Sequence, residues 1–160
     1  MTPSTQATQP IAPIEQLLPH AAPMILIDRV TAVDADALEA DVQIRPESLF
    51  NSGAGVGSWV GVEYMAQAIA AWAGYHARQR GEDVKIGFLL GSRRYECAVP
   101  EFANGTRLKV TVKLLLQAEN GLGSFDCAII DAATRQELAR ANVSVFQPHD
   151  ATNYLQEGMA

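Results

Sequence analysis

The stretch from Ser58 to Arg80, S-W-V-G-V-E-Y-M-A-Q-A-I-A-A-W-A-G-Y-H-A-R-Q-R, contains no proline and is followed by Gly81. It reads as one long helix that Ser58 caps and Gly81 ends, with Arg78 and Arg80 in its last turn. As far as His76 it is apolar or small nearly all round, and Gly61, Ala66, Ala68, Ala70, Ala71, Ala73 and Gly74 keep it thin. A helix without a polar face is buried, and a thin one lets other backbones approach closely. The rest of the chain must therefore surround it.

Into that rod the sequence places one carboxylate, Glu63, and one amide, Gln67, a helical turn apart on one face. Burying an unpaired carboxylate is costly, or forces it to take up a proton. Perturbed buried acids cluster at functional sites, which makes Glu63 a candidate functional residue. The plainer alternative is a structural pair in which Glu63 hydrogen-bonds only Gln67 and backbone.

A chain of 160 residues suffices for one domain with a real core. The net charge of -6 argues against a nucleic-acid surface. Cys97 and Cys127 sit in apolar, strand-like runs and read as reduced core thiols of a cytoplasmic protein. His20, His76 and His149 are too far apart in the chain for zinc-ligand spacing, so no metal is expected. Residues 1–13 are polar and proline-rich and read as a flexible arm before a domain over 14–148, with a loose polar tail over 149–160. Neither a signal peptide nor a membrane span is expected.

Along the domain, Ile14 to Leu18 predicts one helical turn closed by Pro19. Met24 to Val33 and Leu38 to Arg45 predict a hairpin turned by D-A-D-A. Pro46 to Gly57 predicts a glycine-rich loop feeding the helix. Beyond Gly81 come strands over Lys85 to Leu90, Arg93 to Val99, Arg107 to Ala118, Ser124 to Asp131 and Glu137 to Phe146, separated by E-F-A-N-G-T, E-N-G-L-G and D-A-A-T-R-Q. One apolar helix among so many antiparallel strands is buried only if the sheet curves around it. The expected fold is thus α+β, of the hotdog type, with sheets that pair edge to edge into a two-fold dimer.

Two segments then resemble a known family, the beta-hydroxyacyl-carrier-protein dehydratases. Leu18 to Val30, L-P-H-A-A-P-M-I-L-I-D-R-V, resembles that family's opening L-P-H-x-x-P-F-x-x-x-D-R-V, and Val62 to Gln67, V-E-Y-M-A-Q, resembles its helix motif E-A-M-A-Q. Order and spacing agree from about Leu18 to Phe146. The resemblance implies that Glu63 delivers a proton to the leaving 3-hydroxyl of an acyl thioester and that Gln67 helps hold it. It also implies a histidine that removes a proton from C2, and a backbone N–H at the helix start that polarises the thioester carbonyl, where Ser58 and Trp59 stand. Loop residues Asn51 and Gly57 fall beside that position. Acyl carrier protein or coenzyme A would present the substrate, and no cofactor is needed because the thioester itself acidifies C2.

The family's histidine belongs to a G-H-F-P segment before the helix, and here the loop reads F-N-S-G-A-G-V-G. This departure, with W-V-G-V-E-Y-M-A-Q-A-I-A, resembles a divergent branch from aryl-polyene gene clusters in which two unlike hotdog chains pair. The leading explanation is that the chain supplies Glu63 while a sister chain supplies the histidine. Alternatively His20 swings in as base, although packing near Pro19 explains that residue more simply. A third possibility is thioester hydrolysis by Glu63 alone, and a fourth is a scaffold subunit without chemistry. Arg93 and Arg94 would attract an acidic carrier protein or its pantetheine phosphate. His76 reads as a surface residue at the helix end, and Trp59, Trp72 and Tyr75 as core or tunnel lining.

Overall fold

The computed structural model describes residues 11–85 and 87–148. Its elements follow the chain as α1 (Ile14–Leu17), β1 (Arg29–Val33), β2 (Ala37–Gln43), β3 (Gly55–Gly57), a 3-10 turn (Ser58–Val60), α2 (Gly61–Gln79), β4 (Phe88–Cys97), β5 (Glu101–Ala103), β6 (Arg107–Gln117), β7 (Leu122–Asp131) and β8 (Glu137–Phe146). Six strands form one antiparallel sheet in the order β1-β2-β6-β7-β8-β4, and β3 pairs with β5 in a small second sheet. Every strand of the large sheet contacts α2. The architecture is the hotdog fold, α+β, with the sheet wrapped on one long helix.

Alternation explains which face of the sheet is inside. On β6, Leu108, Val110 and Val112 are buried, and their registered partners on β7 put Cys127 and Ile129 beside them. Met65, Ala68, Ile69, Ala71 and Trp72 of α2 complete this core. Asp41 on β2 is also buried, and the Arg29 Nε at 3.1 Å from its Oδ2 offsets the desolvation of the carboxylate. The hairpin turn is closed by Asp34, whose Oδ1 accepts from the backbone N–H groups of Asp36 and Ala37.

Two of the small residues of α2 mark close approaches. A Cβ on Gly74 would collide with the carbonyl oxygen of Leu17 in α1, and one on Gly61 with the Tyr95 hydroxyl. At the other end, the N–H of Gly81 bonds the Arg78 carbonyl and that of Glu82 bonds the Ala77 carbonyl, with Gly81 at φ +72°. This is a Schellman ending, as the glycine predicts.

Several expectations need correction. Ser58 does not cap α2: it opens the 3-10 turn, no side-chain cap bond is made there, and its N–H is spent on the Pro100 carbonyl. Of Met24 to Val33 only Arg29–Val33 is strand, because the residues before it cross α2 as a strap held by side chains. Lys85 to Leu90 and Arg93 to Val99 are not two strands; Phe88–Cys97 is continuous and absorbs Gly91 (φ +159°) and Arg94 (φ +51°) where its register with β8 shifts. The loop over residues 46–57 contains β3, whose Val56 registers with Phe102. Most of the arm and all of the tail lie outside the described residues, although Ile11 and Ala12 already pack on the core.

Candidate active site

Gln67 is completely buried, and its amide is used at both ends. Its Oε1 accepts from the Leu26 N–H at 2.8 Å and its Nε2 donates to the Met24 carbonyl at 2.7 Å, so it replaces the sheet partner that this strap lacks. The same Nε2 lies 3.4 Å from Glu63 Oε1. Farther along the strap, Asp28 Oδ2 accepts from the Gln43 N–H at 2.6 Å and Asp28 Oδ1 lies 3.5 Å from Arg45, which tie the strap's far end to β2. The segment L-P-H-A-A-P-M-I-L-I-D-R-V is therefore a strap clamped to the helix by Gln67 through its backbone, with Asp28 and Arg29 anchoring its end to Gln43, Arg45 and Asp41.

Glu63 is not buried as a helix apolar all round would require. Residues four apart on a helix differ by about 40° around its axis, and that offset turns Gln67 into the strap and Glu63 into a groove. The Glu63 side chain is 36% exposed, and His20, carried by the strap, is 29% exposed with its Nε2 4.0 Å from Glu63 Oε1. His20 Nδ1 is enclosed without a hydrogen-bond partner. Thus the structure brings Glu63, Gln67 and His20 together, with a carboxylate and an imidazole side by side at the mouth of one cavity.

That cavity, of about 610 Å³, continues from His20 and Glu63 along α2 over Ala66, Ala70 and Ala73. Trp72, Leu114, Phe125 and Val145 give it an apolar wall, and Arg80, Lys85 and Gln147 stand at its far end. Trp72, expected as core or tunnel lining, is both, whereas the small residues of the helix were expected to mark close backbone packing. Gly61 and Gly74 are such points and Ala68 and Ala71 are fully buried, but Ala66, Ala70 and Ala73 stay half-exposed. Their spacing along one helical stripe was the available signal.

The remaining candidates do not line this cavity. Asn51 is consumed in the loop, with Nδ2 donating to the Arg45 carbonyl and Asn104 Oδ1 and Oδ1 accepting from the Gly53 N–H. Gly57 makes room for the Trp59 indole, which lies against it. With the Ser58 N–H engaged, the first-turn donors that a helix start leaves without intrahelical partners come from Trp59 and Val60. Trp59 is 67% exposed and stacks edge-on with Phe50. Arg93 and Arg94 are exposed on the edge strand β4 just before Tyr95, whose hydroxyl donates to the Ser58 carbonyl. Burial holds the Tyr95 phenol well above its usual range, so it remains a donor. His76 bonds the Asp34 carbonyl at 2.9 Å rather than standing free at the helix end.

The family model for ApeP-like proteins, described as ApeP dehydratase, matches residues 12–156. Among solved structures, the dehydratase heterocomplex ApeI:P from Xenorhabdus doucetiae is 33% identical over 91% of this chain and 96% of that one, with a TM-score of 0.82. AziG from S. sahachiroi shares 16% identity over 75% of this chain and 90% of that one at a TM-score of 0.58. A hypothetical thioesterase with coenzyme A from Streptococcus pneumoniae shares 11% over 74% and 84%, also at 0.58, and both of these attest the fold alone. No curated protein sequence matches. Among the described residues, no helix is long and apolar enough to cross a membrane.

Proposed function

This chain belongs to the ApeP-like dehydratase family, and from that premise we propose that it eliminates water from a 3-hydroxyacyl thioester as one subunit of a hotdog heterodimer. The observation that carries the reading is Glu63: a half-exposed carboxylate at the mouth of an apolar groove, backed by a buried amide. In the proposed step a base takes the C2 proton, the C2–H electron pair becomes the C2–C3 double bond, and the C3–O bond breaks. Glu63 gives its proton to the departing hydroxyl, which leaves as water. The product is a trans-2-enoyl thioester, and the base's proton returns to the Glu63 carboxylate before the next turnover. The Trp59 N–H and the helix dipole would polarise the thioester carbonyl, and Arg93 and Arg94 would meet the phosphate of a carrier-protein or coenzyme A arm.

The base in this reading is a histidine of the partner chain, since F-N-S-G-A-G-V-G contains none. Two observations support a partner: β4 is an edge strand that exposes Leu89 and Leu90, and the 33% identical ApeI:P structure is a dehydratase heterocomplex. A second reading makes His20 the base, and the 4.0 Å between its Nε2 and Glu63 Oε1 favours it. Mass spectrometry of a 3-hydroxyacyl carrier protein incubated with this chain, alone and with its hotdog partner, tests both. Loss of water only with the partner supports the shared site. Loss of water with this chain alone, abolished by His20→Asn, establishes the second reading, and release of free acid would replace dehydration by thioester hydrolysis.

A further inference from the structure

We propose that Tyr95 is a positioning residue for the thioester carbonyl: its hydroxyl, held on the Ser58 carbonyl, aims and polarises the Trp59 N–H on the other side of the same peptide group. The inference rests on the dehydratase reading in taking that N–H as the donor to the thioester oxygen.

The Ser58–Trp59 peptide is one planar unit, and in the trans form its C=O and N–H point to opposite sides. Whatever fixes the carbonyl therefore fixes the donor. The Ser58 oxygen accepts from the Gly61 N–H, which closes the 3-10 turn, and from the Tyr95 hydroxyl. A carbonyl oxygen has two lone pairs, so both are engaged. The Ser58 N–H is tied in turn to the Pro100 carbonyl. The chain entering α2 is thus pinned on both sides of Ser58, with the Trp59 N–H at the end of the series of bonds.

Hydrogen bonds in series polarise one another where the dielectric is low. Two donors drawing electron density to the Ser58 oxygen leave the Trp59 N–H more positive, which suits a group facing the charge that gathers on the thioester oxygen as C2 loses its proton. Burial keeps the Tyr95 phenol protonated, so the series starts from a donor.

Two departures from regular structure place that hydroxyl. The register of β4 with β8 shifts between Arg93 and Glu96, with Arg94 at φ +51°, so that Arg94 and Tyr95 together stand against Ala141. Such a bulge re-aims a side chain, and here it directs Tyr95 to the entrance of α2. Gly61 supplies the room, since a Cβ there would collide with the Tyr95 hydroxyl.

The test uses the heterodimer with Tyr95→Phe, which removes the hydroxyl and keeps the ring. Losing an oxyanion donor outright costs about 10²–10³ in kcat. Here the donor remains and loses aim and polarity, so kcat should fall about tenfold with KM within about threefold. A merely structural role would not move the second readout, the carbon-13 resonance of a carrier-protein thioester labelled at its carbonyl. A saturated acyl chain is used, which lacks the 3-hydroxyl and cannot eliminate water. On the unsubstituted heterodimer the resonance should move downfield of the free thioester, and Tyr95→Phe should remove most of that displacement. Gly61→Ala reaches the same hydroxyl from the helix side; it should lower both readouts alone and add little to Tyr95→Phe.

Unchanged kcat and displacement in Tyr95→Phe overturn the proposal. So does a loss of kcat with the displacement intact, because the tyrosine then acts elsewhere. No displacement on the unsubstituted heterodimer removes the Trp59 donor and the proposal with it, even if that heterodimer dehydrates. If it does not dehydrate but shows a displacement that depends on Tyr95, the dehydratase reading fails and the positioning role stands.

Discussion

Gln67 in the middle of α2 and Leu26 in the strap are bound through a side-chain amide that stands in for a strand: Oε1 accepts the Leu26 N–H at 2.8 Å while Nε2 donates to the Met24 carbonyl at 2.7 Å. Through this clamp the strap that carries His20 is held beside the helix that carries Glu63. Fold and site are thus coupled at one residue.

Replacing Gln67 by leucine keeps the volume but strands a backbone donor and a backbone acceptor. Each unsatisfied group costs about 1–3 kcal/mol, so a loss of about 2–6 kcal/mol in unfolding free energy is expected for the two. Urea denaturation measures it. A loss below half a kcal/mol would show that the strap stays in place without the amide.

Gly74→Ala ordinarily helps a helix by up to about 1 kcal/mol. Here the added methyl meets the Leu17 carbonyl, a backbone atom with no rotamer to escape into. The sign should reverse, to a destabilisation of about 1–3 kcal/mol from forced backbone shift. Gly81→Ala, where φ is +72° and nothing lies within 4 Å of the new methyl, tests strain without collision and should cost less.

These two glycines also show how far the sequence was legible. Gly81 announced its role because a helix stop needs only local chemistry, and the alternation of L-K-V-T-V on β6 announced its inner face for the same reason. Gly74 pointed to a close approach but not to Leu17, since the partner lies far away in the chain. Glu63 and Gln67 were legible as a polar pair on one face; their separation into an exposed and a buried role depends on where the strap crosses. The strap read as a strand because Met24 to Ile27 is an apolar run leading straight into β1, and its missing strand partner is supplied by a side chain that no periodicity reveals. The course of the groove was hidden for a related reason, as a stripe of alanines is the same pattern whether a backbone lies over it or a groove opens along it.

Alkaline pH should weaken the fold through two buried groups, Cys127 and Tyr64. Burial pushes the Cys127 thiol up from 9.0 to about 12, with the charge of Asp126 adding to it, and burial followed by Asp28 pushes the Tyr64 phenol up from 10.0 to about 12. Below pH 9 both groups are protonated in the folded and the unfolded chain, and their contribution is complete. Above it the unfolded chain releases protons that the folded chain keeps, so stability falls with rising pH until about 12. For Cys127 the gap between 9.0 and about 12 corresponds to about 4 kcal/mol at most. Denaturant titrations from pH 8 to 11.5 should therefore show a falling midpoint, and Cys127→Ala should start lower but fall less steeply. Parallel curves for the two proteins would place the alkali sensitivity elsewhere.

Glu63→Gln separates chemistry from architecture. The carboxylate is 36% exposed at the side chain and its one hydrogen bond, from Gln67, is long at 3.4 Å, so the isosteric amide removes little that holds the fold together. Unfolding free energy should stay within about 0.5 kcal/mol of the unsubstituted protein, as at other partly exposed positions. A glutamine side chain cannot give a proton to the leaving hydroxyl, and dehydration by the heterodimer should fall about 10²–10⁴-fold in kcat. The KM should change little, because the amide has the size and shape of the carboxylate it replaces at the mouth of the groove. Full activity in Glu63→Gln would make this chain a scaffold whose partner carries both proton transfers. Lost activity together with lost stability would instead return Glu63 to the structural role that its proximity to Gln67 first suggested.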